Sequence, residues 1–209
     1  MGLSLILMQH DETDTCNVSR GSGLHSGRVS PSAVVLRSGS TFRRNGTILA
    51  IEEVIPNPDY NSETFDMDIA VMKTTQTIVF NDCTQPVPLP PKGESPKTGQ
   101  IMTVSGWGYT KKGSYTLPDK LMAVNLKIVS RKLCEAVYPT MTSNMLCAGS
   151  LKGGQSACQG DSGGVGVIDD IARGVVSFGR VCGQALAPSA FTDLSAPPIR
   201  EFITEITGL

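Results

Sequence analysis

Short runs of branched apolar residues, separated by turn-forming clusters, dominate the chain. Ala33-Val34-Val35-Leu36-Arg37 and the stretch from Thr47 to Ile55 are rich in β-branched and aliphatic positions. That composition suits a pleated, half-buried strand. Ile69 to Lys73, Ile101 to Trp107, Leu121 to Val129, Gly164 to Ile168 and Gly174 to Phe178 read the same way. Between them lie Pro56-Asn57-Pro58-Asp59 and Pro90-Pro91-Lys92-Gly93. Their prolines fix φ, and their Asn, Asp and Gly residues favour tight turns. Many short strands with frequent turns predict an all-β barrel or sandwich.

Two segments depart from the period of two. Ser130 can cap a short helix that runs through Tyr138 and is stopped by Pro139. Near the end, Ile199, Phe202, Ile203 and Ile206 fall at i, i+3, i+4 and i+7. That spacing makes one apolar helix face, and Pro197-Pro198 sit where a first turn tolerates proline. This helix is expected to dock on a barrel and to carry no chemistry. Residues 1–31 look different from the rest, with the acidic Asp11-Glu12-Thr13-Asp14 and the loop-like Gly21-Ser22-Gly23. The proline-rich stretch from Gln85 to Pro96 divides the remainder into two β halves, 32–96 and 97–209.

The chain has 209 residues, with 18 Lys and Arg against 19 Asp and Glu. A net charge of −1 argues against a general nucleic-acid or membrane-surface binder, which needs a basic excess. No run reaches the roughly 18 apolar residues of a membrane-spanning helix. The apolar start, Met1 to Met8, is short for a signal peptide and has neither a positive leader nor a small-residue cleavage site. The 22 glycines and 13 prolines again favour turns. Of six cysteines, Cys134 with Cys147 and Cys158 with Cys182 stand as closely spaced pairs, and none makes a C-x-x-C zinc pattern. The sequons Asn17-Val18-Ser19 and Asn45-Gly46-Thr47 fit a secreted context.

The sharpest chemical signal is Gly160-Asp161-Ser162-Gly163-Gly164. A serine hydroxyl is a poor nucleophile until a base takes its proton. Flanking glycines free the backbone to turn tightly and to aim N–H groups at a developing oxyanion. The plain alternative is a glycine-rich turn. The segment also fits the G-x-S-x-G elbow of α/β-hydrolases, but that arrangement places its histidine after the serine and a helix after the elbow. Here His10 and His25 both precede Ser162, and Val165-Gly166-Val167-Ile168 reads as a strand. Asp68, in Asp66-Met67-Asp68-Ile69-Ala70-Val71, is a carboxylate entering an apolar strand, which is costly without a partner. An imidazole is a natural partner, and His25, Asp68, Ser162 is one of the chain orders of the hydrolytic triad.

With these residues in place, the chain resembles the chymotrypsin/trypsin family of serine proteases. The resemblance is carried by Asp68-Ile69-Ala70-Val71, Ser105-Gly106-Trp107-Gly108, Asn144-Met145-Leu146-Cys147-Ala148-Gly149 and Cys158-Gln159-Gly160-Asp161-Ser162-Gly163-Gly164. Ser177-Phe178-Gly179 and Cys182 follow at family-like spacing. Pro86-Val87-Pro88-Leu89-Pro90, Gly106-Trp107-Gly108-Tyr109 and Gly113-Ser114-Tyr115 are similar to the group-three mite allergens, which are secreted digestive proteases with inactivated paralogues. The resemblance covers about Ser32 to Leu209. It implies an all-β fold of two antiparallel six-stranded-type barrels, the first incomplete at its N-terminal side, followed by a C-terminal helix.

The same resemblance implies a triad of His25, Asp68 and Ser162, with the N–H groups of Gly160 and Ser162 as the oxyanion hole. It implies disulfides Cys134–Cys147 and Cys158–Cys182. It also implies a substrate site at Ser156, Ser177, Gly179 and Ser189, where Ser177 to Gly179 pair with substrate backbone. Protein or peptide substrates, protein inhibitors, a secreted monomer and neither metal nor cofactor go with it.

Several positions depart from the family pattern. His25 sits in Gly23-Leu24-His25-Ser26 rather than in Ala-Ala-His-Cys, so the cysteine beside the histidine is absent. No Ile-Val-Gly-Gly, the family's freed terminus whose ammonium pairs with the aspartate before the serine, precedes His25. Ser156 stands where trypsin-like members hold the aspartate that binds Arg or Lys, which predicts a preference for small or medium apolar residues. Ser189 after Pro188 stands where open pockets carry glycine, and Cys16 and Cys83 are left over. Beside an active endopeptidase, two alternatives therefore stand: a non-catalytic paralogue that binds proteins, and a truncated product of an active protease gene.

Overall fold

A computed structural model describes residues 7–8, 30–33, 35–111 and 113–209. In chain order the strands of the first half are β1 (Leu7–Met8), β2 (Leu36–Ser38), β3 (Thr47–Leu49), β4 (Ile51–Pro56) and β5 (Ala70–Thr74). The second half holds β6 (Ile101–Gly106), β7 (Met122–Lys127), helix α1 (Arg131–Val137), β8 (Met145–Ala148), β9 (Val165–Ile168), β10 (Ile171–Phe178), β11 (Ser189–Asp193) and helix α2 (Pro197–Thr207).

The second half is a curled antiparallel sheet of six strands in the order β7-β6-β9-β10-β11-β8. In β6 the period of two is plain, because Met102, Val104 and Gly106 are buried while Ile101, Thr103 and Ser105 face outward. The continuation of β7 curls round to β8: Val129 N–H donates to Cys147 and Gly149 N–H to Lys127. Closing the sheet this way removes its unpaired edges. In the first half, β4 and β1 flank β5, and β2 pairs with β3. Among the described residues this first barrel is partial, and the whole is the all-β two-barrel arrangement with a C-terminal helix.

Four elements differ from the expectations. The Thr47 to Ile55 run is not one strand; it breaks at Ala50, so that β3 pairs with β2 and β4 with β5. One apolar run thus serves two sheets, a corner that composition alone does not mark. β10 begins at Ile171, ahead of Gly174, and β8 and β11 were not anticipated as strands. Both are buried at every position, so they show no alternation to read.

The helices follow their sequence signals. Ser130 Oγ accepts from Leu133 N–H at 3.4 Å, and α1 ends before Pro139. Helix α2 starts at paired prolines and ends at Gly208, whose φ of 76° takes the left-handed cap that glycine adopts freely. Ile199, Phe202 and Ile203 are buried, with Ile206 packed beside them. They join a core with Met67, Ile69 and Val71 of the first half and Val175 and Leu194 of the second. Helix α2 therefore seals the region where the halves meet.

Candidate active site

Asp68 sits in a forced stretch of backbone just before β5. Phe65 and Met67 carry φ of 60° and 56°, a region side chains seldom occupy. Ile69 N–H bonds back to the Met67 carbonyl, making a tight turn centred on Asp68. The turn drives the carboxylate inward, where only 1% of Asp68 is exposed. There Asp68 Oδ2 accepts a 2.7 Å hydrogen bond from Ser177 Oγ, and its carbonyl accepts one of 2.7 Å from Thr192 Oγ1. Both donors come from the second half, on β10 and β11.

The position of Ser177 has a local cause. The pairing of β10 with β11 shifts between Val176 and Phe178. An irregularity of this kind bends a strand and re-aims a side chain. Here it places the buried Ser177 hydroxyl on Asp68.

Ser162 is followed by residues bonded to the same strand. Gly163 N–H donates to Val176 and Val176 N–H donates to Gly164, so the serine segment is fastened to β10 immediately beside Ser177. Cys158 to Asp161 form a turn closed by the Asp161 N–H on the Cys158 carbonyl, with Gly160 at φ 103°. That φ is the one a type II turn requires at its third residue, and glycine supplies it without strain. The Asp161 and Gly163 amides are consumed in these bonds.

A cavity of about 170 Å³ opens beside Ser162, with Ala157, Ser177, Phe178, Gly179 and Ser189 in its walls. Ser189 Oγ accepts from Ala157 N–H at 3.2 Å, so two of the lining residues are tied to each other. Phe65 and Phe178 stack at 5.1 Å between ring centroids, and Tyr138 meets Phe178 edge-on at 5.2 Å. The Tyr138 hydroxyl donates to the Pro188 carbonyl at 2.6 Å and accepts from Arg180 N–H at 3.2 Å. Burial pushes the Tyr138 phenol up from its ordinary value, which keeps it a neutral donor to Pro188. Among the described residues, no acidic side chain lines this cavity.

Comparison with known proteins bears on the same segments. A family model described as Trypsin matches residues 24–203. The chain is similar to Trypsin 5G1 of Aedes aegypti, with 35% identity over 178 residues, 83% of this chain and 66% of that protein. It is similar to Trypsin Blo t 3 of Blomia tropicalis, with 37% identity over 172 residues, 78% of this chain and 64% of that protein. Serine protease 1 of Homo sapiens is 37% identical over 149 residues, 71% of this chain and 60% of that protein. This chain belongs to the trypsin family. It spans between 60% and 66% of the length of these relatives.

Against that family, the expected site residues fall into three groups. Ser162, Ser177, Gly179 and Ser189 share one cavity, and Asp68 reaches it through Ser177. Ser156 does not line that cavity; its hydroxyl accepts from Gly183 N–H at 2.8 Å and it borders a neighbouring one. His25 and Cys16 lie outside the described residues. The two disulfides of the trypsin-family pattern are present, Cys134–Cys147 and Cys158–Cys182, with Cα separations of 6.1 and 5.3 Å. The second joins the serine turn to the segment after β10. Cys83 is an exposed free thiol.

Phe65, Tyr138 and Arg180 were not singled out from sequence. Each reaches the cavity or its wall through contacts far apart in the chain, so no local spacing announces them. The adjacency of Phe65 to the Asp66-Met67-Asp68 run was the one available hint.

Proposed function

We propose that this chain is a serine endopeptidase that cleaves protein or peptide substrates through an acyl-enzyme. The observation that carries this reading is that Gly163 and Gly164, which follow Ser162, bond to Val176 while Asp68 bonds to the next residue of the same strand, Ser177. Ser162 Oγ attacks the scissile carbonyl while His25 takes its proton, and Asp68 orients and stabilises the resulting imidazolium. The N–H groups of Gly160 and Ser162 stabilise the tetrahedral oxyanion. Its collapse expels the amine, which leaves with the proton from His25. Water then repeats the sequence on the ester and frees Ser162. Exposed Gly179, beyond the end of β10, offers backbone groups to an added substrate strand.

The reading includes a specificity. Among the described residues the cavity wall offers no carboxylate, and the Ser189 hydroxyl is held by Ala157 N–H. Small or medium apolar side chains fit such a site. A missing charge partner forfeits about 1.5–3 kcal/mol for Arg or Lys, roughly ten- to hundredfold in rate. Secretion, a monomeric state, protein inhibitors and a division at 32–96 and 97–209 after a divergent 1–31 segment belong to the same proposal.

The test is cleavage of a peptide library by the purified chain and by Ser162→Ala. Cuts after Ala, Val or Leu at least about tenfold faster than after Arg or Lys, absent in the variant, are expected. A basic preference overturns the specificity. A second reading, a paralogue that binds proteins without cutting them, is favoured by one feature: among the described residues, no ion pair involves Asp161. A folded chain that cleaves nothing supports that reading.

A further inference from the structure

Behind the Ser162 turn lies a second cavity of about 380 Å³, and the Asp161 carboxylate forms part of its wall. Asp161 Oδ1 accepts from Gly108 N–H at 2.8 Å and Oδ2 from Cys158 N–H at 3.0 Å. The two glycines of Gly106-Trp107-Gly108 make room for it; a Cβ built on Gly108 lies 2.5 Å from Asp161 Cγ. The Ser105–Gly108 segment is thus a cradle shaped around one carboxylate.

Two N–H donors do not neutralise a charge. Burial pushes the Asp161 carboxyl above its ordinary value, against the lowering effect of the Cys158 and Gly108 bonds. A carboxylate in that position calls for a cation. Among the described residues the ion pairs are Lys73–Glu52, Lys92–Glu201 and Arg131–Glu135. Among the described residues, Lys111 is the one cationic side chain lining the cavity. The described walls from β6, β7, the Gly154–Cys158 segment and the Cys182–Gly183 turn bring no charge, and Tyr109 is the other ionisable group among the described lining residues.

Lys111 is exposed, on the loop between β6 and β7, and near it Gly113 has φ 74° with open space around it. We propose that the Lys111 ammonium is the counter-ion of Asp161: its flexible stem turns into the cavity and pairs with the carboxylate, fixing the Cys158–Ser162 turn. Asp161 lies between Gly160 and Ser162, so the pair governs how both amides face an oxyanion. Lys111 is then a positioning residue, and this role rests on the endopeptidase reading.

The experiment follows the Asp161 carboxyl carbon by NMR titration of the full chain, assigned with Asp161→Asn. Lys111→Met is compared with wild type. Removing a surface side chain leaves the fold intact, and the titration does not depend on activity. The Asp161 pKa is expected to be at least one unit lower in wild type than in Lys111→Met, about a tenfold shift in proton affinity, with Lys111→Arg restoring it. Equal titration in wild type and Lys111→Met overturns the ion pair. Phosphonylation of Ser162 by a fluorophosphonate is read alongside. A Lys111→Met rate at least tenfold slower, rescued by Lys111→Arg or by added propylammonium, supports the positioning role; an unchanged rate overturns it. Wild type that pairs Lys111 with Asp161 but takes no label overturns the endopeptidase reading and leaves the ion pair standing.

Discussion

Ser177 is the residue on which two arrangements depend. Its hydroxyl donates to the buried Asp68, and its place in β10 is set by the register shift after Val176. Replacing it by alanine withdraws a donor from a carboxylate that is 1% exposed. Ser177→Ala is expected to cost about 1–3 kcal/mol, a fall of several degrees in melting temperature for a chain of this size. A scanning-calorimetry trace unchanged from wild type contradicts that weight. At this scale the sequence was informative where chemistry is local. The glycines around Ser162 and the carboxylate before an apolar strand signalled themselves. Phe65, paired with Phe178 across 113 positions of chain, did not, and the contact of Ser156 with Gly183 was not legible although the residue itself was.

Elements were legible in proportion to how lopsided their surroundings are. Helix α2 lies between core and solvent, so its apolar spacing named its buried face, Ile199, Phe202 and Ile203. β6 alternates for the same reason. β8 and β11 are buried on both sides and left no alternation to read. The Thr47–Ile55 run failed differently, because strand character does not say which neighbour each residue pairs with. The stability of the junction rests on α2. Ile203 is fully buried between the halves, and Ile203→Ala should cost about 2–5 kcal/mol through lost burial and the cavity left behind. Urea unfolding followed by circular dichroism reads this directly, and a midpoint within error of wild type places the core elsewhere.

On the scale of the molecule, the proposed function rests on the seam. Asp68 enters from the first half and is gripped by Ser177 and Thr192 of the second. Asp66 adds bonds to Thr142 Oγ1 at 2.6 Å and Asn144 Nδ2 at 3.0 Å. Trp107, from the second half, donates through Nε1 to the Thr41 carbonyl of the first. The proline-rich divide near Gln85 to Pro96 suggested two units, yet one apolar core runs through Val71, Val175 and α2. Sequence could suggest the two halves and not the seam, because a seam is made of contacts between distant segments. The central claim is that this seam makes Ser162 a nucleophile. The most direct measurement is the intact mass of the chain after incubation with a fluorophosphonate, with Ser162→Ala as control. One phosphonyl group per chain, lost in the variant, is the expected result. A folded wild-type chain whose mass does not change would contradict it.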